Sequence, residues 1–317
     1  MIMKKKILIT GSLGFIGSNL IRFINYLKLP YELCGIDNAY DISLLNNIYV
    51  NKNQPFHLVD INDERILERI FKLENPEIVI HLAGLTNIDN SDENDKEYLK
   101  NNINGTKTLL DACKKNNIAK FIYISTDNVY KVIDNLTDNA KEDFEIQPDN
   151  YYAFTVSEAE KLIKSSELNF NIIRACNIIG PRASKASFFP KIIKSILNKD
   201  KIEIYGKGNE MRSWMYSDSL CLAILKVIES GVYNEIYNCS SGFEMSNIEL
   251  VNKVCNIMGG DLNSIVFNPR KRSANNGFRY SMNYDKIKNL GWTNKLSFND
   301  TCEKTVKWYV NNSFYLK

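Results

Sequence analysis

Short apolar runs recur along the first half of this chain, at residues 6–10, 32–37, 55–59, 77–82, 120–125 and 170–176. They predict strands. Longer amphipathic stretches separate them, and helices are expected near 15–28, 62–73, 93–117 and 151–167. Strands alternating with helices of this length imply βαβ units and a parallel sheet. The rhythm changes after residue 180, where Gly180-Pro181 breaks the chain and shorter elements follow. Ser246-Asn247-Ile248-Glu249 reads as a capping box that opens a helix at 247–258. A last helix is expected at 299–311. The predicted architecture is therefore α/β. Residues 1–180 supply a doubly wound parallel sheet, to which later segments return. Residues 181–317 supply mainly a smaller lobe over the carboxyl edge of that sheet, where open α/β sheets bind ligands.

Composition narrows the picture only a little. The 317 residues are 44% hydrophobic and 24% charged, the balance of a globular protein, and the net charge of +3 gives no reason to expect a nucleic acid partner. There is no apolar run long enough to span a membrane, and the stretch Ile7-Leu8-Ile9 reads as a first strand rather than a signal-peptide core. Seven scattered cysteines without a C-x-x-C pair argue for reduced thiols and a cytoplasmic location, and against a zinc or disulfide framework.

The first strand leads into Gly11-Ser12-Leu13-Gly14-Phe15-Ile16-Gly17, a G-x-x-G-x-x-G turn before a helix. Gly11 suits a tight turn and Gly14 a close backbone approach to a pyrophosphate. Gly17 suits close packing of helix on strand. Asp37 closes the next strand 20 residues after Gly17, where a carboxylate accepts bonds from ribose hydroxyls and repels a 2′-phosphate. Asn38 beside it adds no positive charge. The motif thus predicts a Rossmann-type dinucleotide site and favours NAD over NADP. Asp60-Ile61 is placed to reach the adenine, and Asp60 is equally suited to cap the next helix. His81 ends an apolar strand and reads as a packed histidine rather than a catalytic one.

These residues, with others along nearly the whole chain, resemble the extended short-chain dehydrogenase/reductases and, among them, the nucleotide-sugar 4,6-dehydratases. The resemblance rests on Thr10 to Gly17, His81-Leu82-Ala83-Gly84, Asn102 in Asn-Ile-Asn-Gly-Thr, and Ser125-Thr126-Asp127-Asn128-Val129-Tyr130. It continues through Tyr152, Arg174, Asn177 to Pro181, Tyr205 to Asn209, and Arg212 to Tyr216. It implies a dinucleotide held by Gly11, Phe15, Ile16, Gly17, Asp37, Asn38, Asp60, Ile61, Leu82, Ala83, Gly84, Thr86, Asn102 and Tyr152. It implies a nucleotide-sugar held by Thr86, Asn177, Arg212 and Arg272, the arginines being suited to phosphate oxygens. Catalysis would fall to Thr126, Asp127, Asn128 and Tyr152. No metal is implied.

In such enzymes a tyrosine phenolate takes the proton from sugar O4 as a hydride leaves C4. An acid then protonates the hydroxyl departing from C6, while a base removes the C5 proton. Tyr152, with Thr126 beside it, matches the first group and Asp127 the acid. Related 4-epimerases usually lack that carboxylate. Three positions depart from the family pattern. Val156 stands where a lysine normally lowers the tyrosine pKa. A nicotinamide charge some 5 Å away would still be worth roughly 3 kcal/mol at an effective dielectric of about 20, so a working tyrosine with a raised pH optimum is expected. Asn128 stands where the C5 base is usually glutamate, leaving Asp127 or Lys131 to help. Arg272-Ser273-Ala274-Asn275-Asn276 replaces the usual His-Asp pair.

A changed C5 base suggests UDP-N-acetylglucosamine as substrate, with C5 epimerisation possible. The alternatives are a UDP-sugar 4-epimerase and an NAD- or UDP-sugar-binding protein that has lost catalysis. Helices 93–117 and 151–167 match those that pair in the family's homodimers, burial within the monomer being the other use for them.

Overall fold

A computed structural model gives the fold and describes residues 4–269 and 277–317. In chain order the first half reads β1 (Lys5–Thr10), α1 (Phe15–Tyr26), β2 (Tyr31–Asp37), β3 (Phe56–Leu58), α2 (Glu64–Glu74), β4 (Ile78–His81), α3 (Asp95–Tyr98), α4 (Gly105–Lys115), β5 (Lys120–Thr126), α5 (Tyr151–Lys164) and β6 (Phe170–Ala175). The second half reads β7 (Asn177–Ile179), α6 (Phe188–Asn198), β8 (Ile202–Tyr205), β9 (Met211–Tyr216), α7 (Ser217–Ser230), β10 (Glu235–Cys239), β11 (Glu244–Ser246), α8 (Asn247–Met258), β12 (Ile265–Asn268), β13 (Arg279–Tyr280), α9 (Asp285–Asn289) and α10 (Phe298–Asn311).

The main sheet has seven parallel strands in the order β10-β6-β5-β4-β1-β2-β3. The reversal between β1 and β4 is the topological switch point of a doubly wound sheet, and it opens a crevice at the carboxyl edge. Helices cover both faces, so the strands are continuous apolar runs: Ile7, Leu8, Ile9, Val79, Ile80, Phe121 and Ile122 are fully buried. The seventh strand comes from the second half. Glu235 to Cys239 register against Asn171 to Ala175, with α7 as the crossover that precedes them. No described helix is long and apolar enough to cross a membrane.

The helix expected at 93–117 is not uniform. It starts at Asp95, loosens into a π-helical turn at Leu99–Asn104 and resumes as α4. π turns are rare and concentrate at functional sites. Asn102, within this one, reaches back to the loop after β4. A ten-residue 3-10 run at Ile42–Asn51, capped by Asp41, stands where no element was expected. Its Asn-rich sequence carries no strong helical period.

The second half builds its lobe around β7, β9, β11 and β13, a β8–β12 pair, and α6, α8 and α10. The lobe has its own core of Ile193, Ile204, Leu250, Val254 and Tyr309. The capping box at Ser246 and Glu249 forms as expected, both bonds present. Because β7 runs on directly from β6 and pairs with β9, the lobe is tied to the carboxyl edge of the sheet. All seven cysteines are buried and unpaired.

Candidate active site

The turn after β1 holds Gly11 at φ +67°. A Cβ there would lie 2.8 Å from the Leu82 and Ala83 backbone, and one on Gly17 would lie 2.2 Å from the Gly11 carbonyl oxygen. Glycine at these two positions lets β1, β4 and α1 converge. Nothing caps α1 with a side chain, so its first N–H groups and its positive dipole end face the crevice. Asp37 is buried at the end of β2, where Oδ2 accepts from Leu13 N at 2.9 Å and Oδ1 from Ala39 N at 2.8 Å. Burial pushes its pKa up, and the backbone donors pull it back.

The crevice, about 540 Å³, is walled by Gly11, Gly14, Asp37, Asn38, Ile61, Leu82, Ala83 and Gly84, all singled out in the sequence. It also uses Tyr40, Leu44, Val59 and Asn101, which were not. Leu44 sits on the unexpected 3-10 run, and Val59 lies just past β3. None of the described walls is a lysine or arginine. The residues therefore fit a dinucleotide: an uncapped helix end for a diphosphate, apolar walls for a base, and a carboxylate for unphosphorylated ribose.

Asp60 does not cap α2; Asp63 does, accepting from Ile66 N at 3.0 Å. Asp60 Oδ1 accepts from the backbone and side-chain nitrogens of Asn62. Phe15 lines a second cavity with Asn177, Gly180 and Trp214, and Ile16 packs on the main core. Thr86 is exposed and lines the cleft between the loop after β4 and residues 184–188.

Asn102 and His81 shape the crevice from behind. Asn102 Oδ1 accepts from Leu85 N at 2.8 Å, while its Nδ2 donates to Leu85 O at 3.0 Å and Thr155 Oγ1 at 2.9 Å. The amide is fully used in fixing the Leu85 turn against α5. His81 is fully buried, and burial lowers its pKa to about 3. Thr106 Oγ1 donates to Asn102 O at 2.6 Å, so it must accept from His81 Nε2–H at 2.9 Å. His81 Nδ1 then accepts from the Thr10 hydroxyl at 2.7 Å, and Thr10 Oγ1 accepts from Leu82 N and Ala83 N. The network assigns a neutral Nε2–H tautomer and a packing role.

The chemistry-bearing residues stand at the tip of β5 and the start of α5. Asn150 caps α5 through Ala153 N at 2.9 Å. A buried ion pair locks α5 onto the sheet: Arg174 on β6 meets Glu160 at 2.6 and 2.9 Å. Ser125 Oγ donates to the same carboxylate at 2.7 Å, and Arg174 also donates to Tyr130 Oη at 2.8 Å. That joint sets Tyr152 near enough to Thr126 for the threonine hydroxyl to favour the phenolate. Burial drives the Tyr152 pKa far above its usual value. Thr126 opposes this, and Asp127 and Tyr98 add to it. Val156 is buried in the main core, and no described cation acts on the phenol.

Asp127 is buried, and burial raises its pKa to about 6 against the pull of Arg212, Thr126 and Asn128. Its Oδ1 accepts from Asn128 Nδ2 at 2.8 Å and Thr126 Oγ1 at 3.2 Å. Its Oδ2 is buried with no hydrogen-bond partner among the described residues. Lys131 points to Glu145 at 2.8 Å and is half exposed, a solvated pair away from this cluster.

From the lobe, Arg212 on β9 stacks over Tyr280 at 4.9 Å, and its Nη1 donates to Met211 O at 2.8 Å and Gly277 O at 3.2 Å. Burial lowers its pKa, opposed by Tyr280, Asp127 and Asp149. Asp127 therefore acts on it through space, as do Tyr280 and Asp149 around it. Asn177 leaves Nδ2 buried and unpartnered among the described residues. Arg272 lies outside the described residues. The trio Cys34, His57 and Glu74 also comes together, under α2, where Glu74 is held by Lys6 and His57 at 2.7 Å each.

Residues 7–240 match the NAD dependent epimerase/dehydratase family. The dTDP-D-glucose 4,6-dehydratase of Dictyostelium discoideum is 33% identical over 98% of this chain and 83% of its own length. The human dTDP-D-glucose 4,6-dehydratase is 30% identical over 97% and 91%. Among solved structures, the dTDP-glucose 4,6-dehydratase DesIV of Streptomyces venezuelae, with NAD bound, superposes with a TM-score of 0.91 at 27% identity, covering 98% of this chain and 99% of that one. The UDP-glucose 4-epimerase of Thermotoga maritima, with UDP-glucose, gives 0.87 at 26%, covering 97% and 99%.

Proposed function

From the premise that this chain belongs to the NAD dependent epimerase/dehydratase family, among its nucleotide-sugar 4,6-dehydratases, we propose that it is an NAD-dependent hydro-lyase that converts a nucleoside-diphosphate hexose into its 4-keto-6-deoxy derivative. The observation that carries this reading is Asp127: a buried carboxyl at the sheet's carboxyl edge, with a pKa raised to about 6 and one oxygen without a hydrogen-bond partner among the described residues. A 4-epimerase needs no such group, because it expels nothing from C6. A dehydratase needs an acid there whose proton is available near neutral pH.

The uncapped end of α1, Asp37, and the Leu82 to Gly84 wall would hold NAD. The chemistry it supplies when bound is temporary storage of a hydride. Tyr152 and Thr126 take the proton from O4. Asp127 protonates the hydroxyl leaving C6. Asn128 cannot serve as a base, since its amide donates to Asp127 and Thr126. Asn177 binds the nucleoside diphosphate from the lobe side, Arg272 is the residue the family resemblance assigns to the same ligand, and Arg212 offsets the charge of Asp127.

The relatives and solved structures reported above are named for dTDP-glucose or UDP-glucose, which supports a gluco-configured hexose. UDP-N-acetylglucosamine with C5 inversion rests on Asn128 alone. The π turn between α3 and α4 carries exposed Leu99 and α5 carries exposed Phe154, and these elements supply a surface for a homodimer. The buried thiols suit a reducing cytoplasm. The test is incubation with dTDP-glucose, UDP-glucose and UDP-N-acetylglucosamine, read by mass spectrometry and NMR. A product lighter by one water supports the proposal. An isomer of equal mass indicates a 4-epimerase, and no conversion of any of the three indicates a binding protein. Retention of the gluco configuration at C5 excludes inversion.

A further inference from the structure

The 3-10 run at Ile42–Asn51 walls the cofactor crevice through Leu44, and Tyr40 just before it lines both the crevice and the cleft beside it. Its own hold on the fold is shallow. Asn47, Val50 and Asn51 are buried, while Ile42, Leu45, Ile48 and Tyr49 are exposed. A segment with so few buried contacts opens locally at little cost unless another element holds it.

That element is α10 with the turn after it. A 3-10 turn at Ser313–Leu316 follows the helix, and Leu316 fixes it in the core of the lobe. From there Tyr315 Oη donates to Asn47 Oδ1 at 2.8 Å, with Asn46 O at 2.9 Å as a second acceptor for the same proton. Asn47 carries the contact inward. Its Nδ2 donates to Leu13 O at 2.7 Å, and Leu13 N donates to Asp37 Oδ2 at 2.9 Å. An unbroken chain of hydrogen bonds thus joins Tyr315 to the glycine-rich turn and to the carboxylate of the dinucleotide site. A second strap lies close by. Arg182 is buried at φ +69°, sits over the Trp308 ring of α10 at 5.8 Å, and donates to Tyr49 Oη at 3.2 Å. Its other nitrogen, Nη2, donates to Asn19 Oδ1 on α1. Tyr309 Oη donates to Ala183 O at 3.1 Å, which ties α10 to the segment whose residues 184 and 186–188 line the cleft.

A dehydratase or a 4-epimerase that parks a hydride on its cofactor and returns it to the same sugar must keep that cofactor through the whole turnover. We propose that Trp308 to Leu316 form a clasp over the cofactor crevice, that Tyr315 is its positioning residue, and that the clasp keeps NAD bound from one turnover to the next. Escape of the dinucleotide requires the wall at Tyr40 and Leu44 to swing out, and the Tyr315–Asn47 bond resists that movement. Tyr315 lines neither the crevice nor the cleft, so it acts through Asn47 and not on the reacting atoms. The inference needs the NAD site alone and is independent of which sugar reaction follows.

The experiment times the loss of NAD from the loaded full chain after gel filtration into NAD-free buffer, with urea melts of the same samples. Tyr315→Phe keeps the ring against Trp308, at 4.8 Å between centroids, and removes only the hydroxyl. NAD release then accelerates about fivefold, the factor that one neutral hydrogen bond is worth. Tyr315→Ala releases NAD faster still. With a hexose that is converted, the first turnover of loaded Tyr315→Phe keeps its rate, later turnovers decline, and excess free NAD restores them. A tail that serves only stability would lower the urea midpoint and leave NAD release unchanged, and that result overturns the clasp. So does a slowed first turnover that excess NAD fails to restore, because Tyr315 would then act on the sugar. The release measurement uses no sugar. Faster release in both variants of a chain that converts no hexose sinks the dehydratase reading and leaves the clasp standing.

Discussion

Glu160, on the helix that carries Tyr152, and Asp127, just past β5, are equally buried, each 2% exposed, yet their acidities move in opposite directions. Burial pushes Glu160 upward, but the bonds and charge of Arg174, with Ser125 and Lys164, outweigh it and hold the carboxyl below its usual range. Asp127 meets its cation, Arg212, only through space and keeps one oxygen without a partner among the described residues, so burial prevails. A buried charge that is fully bonded is a structural joint. One left incompletely bonded stores proton affinity for a substrate.

Substitution separates the two roles. Asp127→Asn should lower turnover by about 10²–10⁴-fold while raising stability at pH 7. The shift from 3.8 to about 6 corresponds to roughly 3 kcal/mol at full burial. Product formation and urea melts of the same sample check both halves, and a destabilised variant would break the contrast. Arg174→Met should do the reverse, costing about 3–5 kcal/mol by leaving the buried Glu160 carboxylate without its main partner. Turnover per folded molecule should fall less than in Asp127→Asn.

Acidity gives the next contrast. The Asp127 pKa is raised on folding, so its stabilising contribution is complete below about pH 4 and is lost as pH rises through about 6. The Glu160 pKa is lowered, so its contribution is present above the usual glutamate range and is lost as acid is added. Melting curves should show the gain from Asp127→Asn growing between pH 4 and 7. The loss from Glu160→Gln should shrink below pH 4. The smallest effect belongs to the cofactor end. Asp37→Ala should weaken NAD binding by about 1.5–3 kcal/mol, measured by calorimetry, and narrow the margin over NADP.

The cofactor end was also the more legible one. A glycine turn, a strand before it and Asp37 after it are local in sequence, so spacing alone placed them. The first six strands and the helices of the first half followed from periodicity to within a few residues, whereas β7 to β13, α6 and α7 were not anticipated. Asp60 was misjudged as a possible cap because Asp63 offers the same side chain three residues later. The π turn at Leu99–Asn104 and the 3-10 run at Ile42–Asn51 escaped because neither has the 3.6-residue period that marks an α-helix. Tyr40, Leu44, Val59 and Asn101 escaped with them, as apolar or amide residues without a motif.

The amino-acid order by itself determined the parallel sheet and the glycine-lined crevice, because period and turn chemistry act over a few neighbouring positions; Tyr152, Thr126 and Asp127 were picked out only by resemblance to the family. Only the folded chain decided that Asn128 presents N–H donors to both Thr126 and Asp127, that Arg212 acts through space on a carboxylate 85 residues away, and that Asp127 keeps Oδ2 without a partner among the described residues. Those outcomes depend on burial and on contacts between distant strands, and a proton's affinity for a carboxyl is set by both.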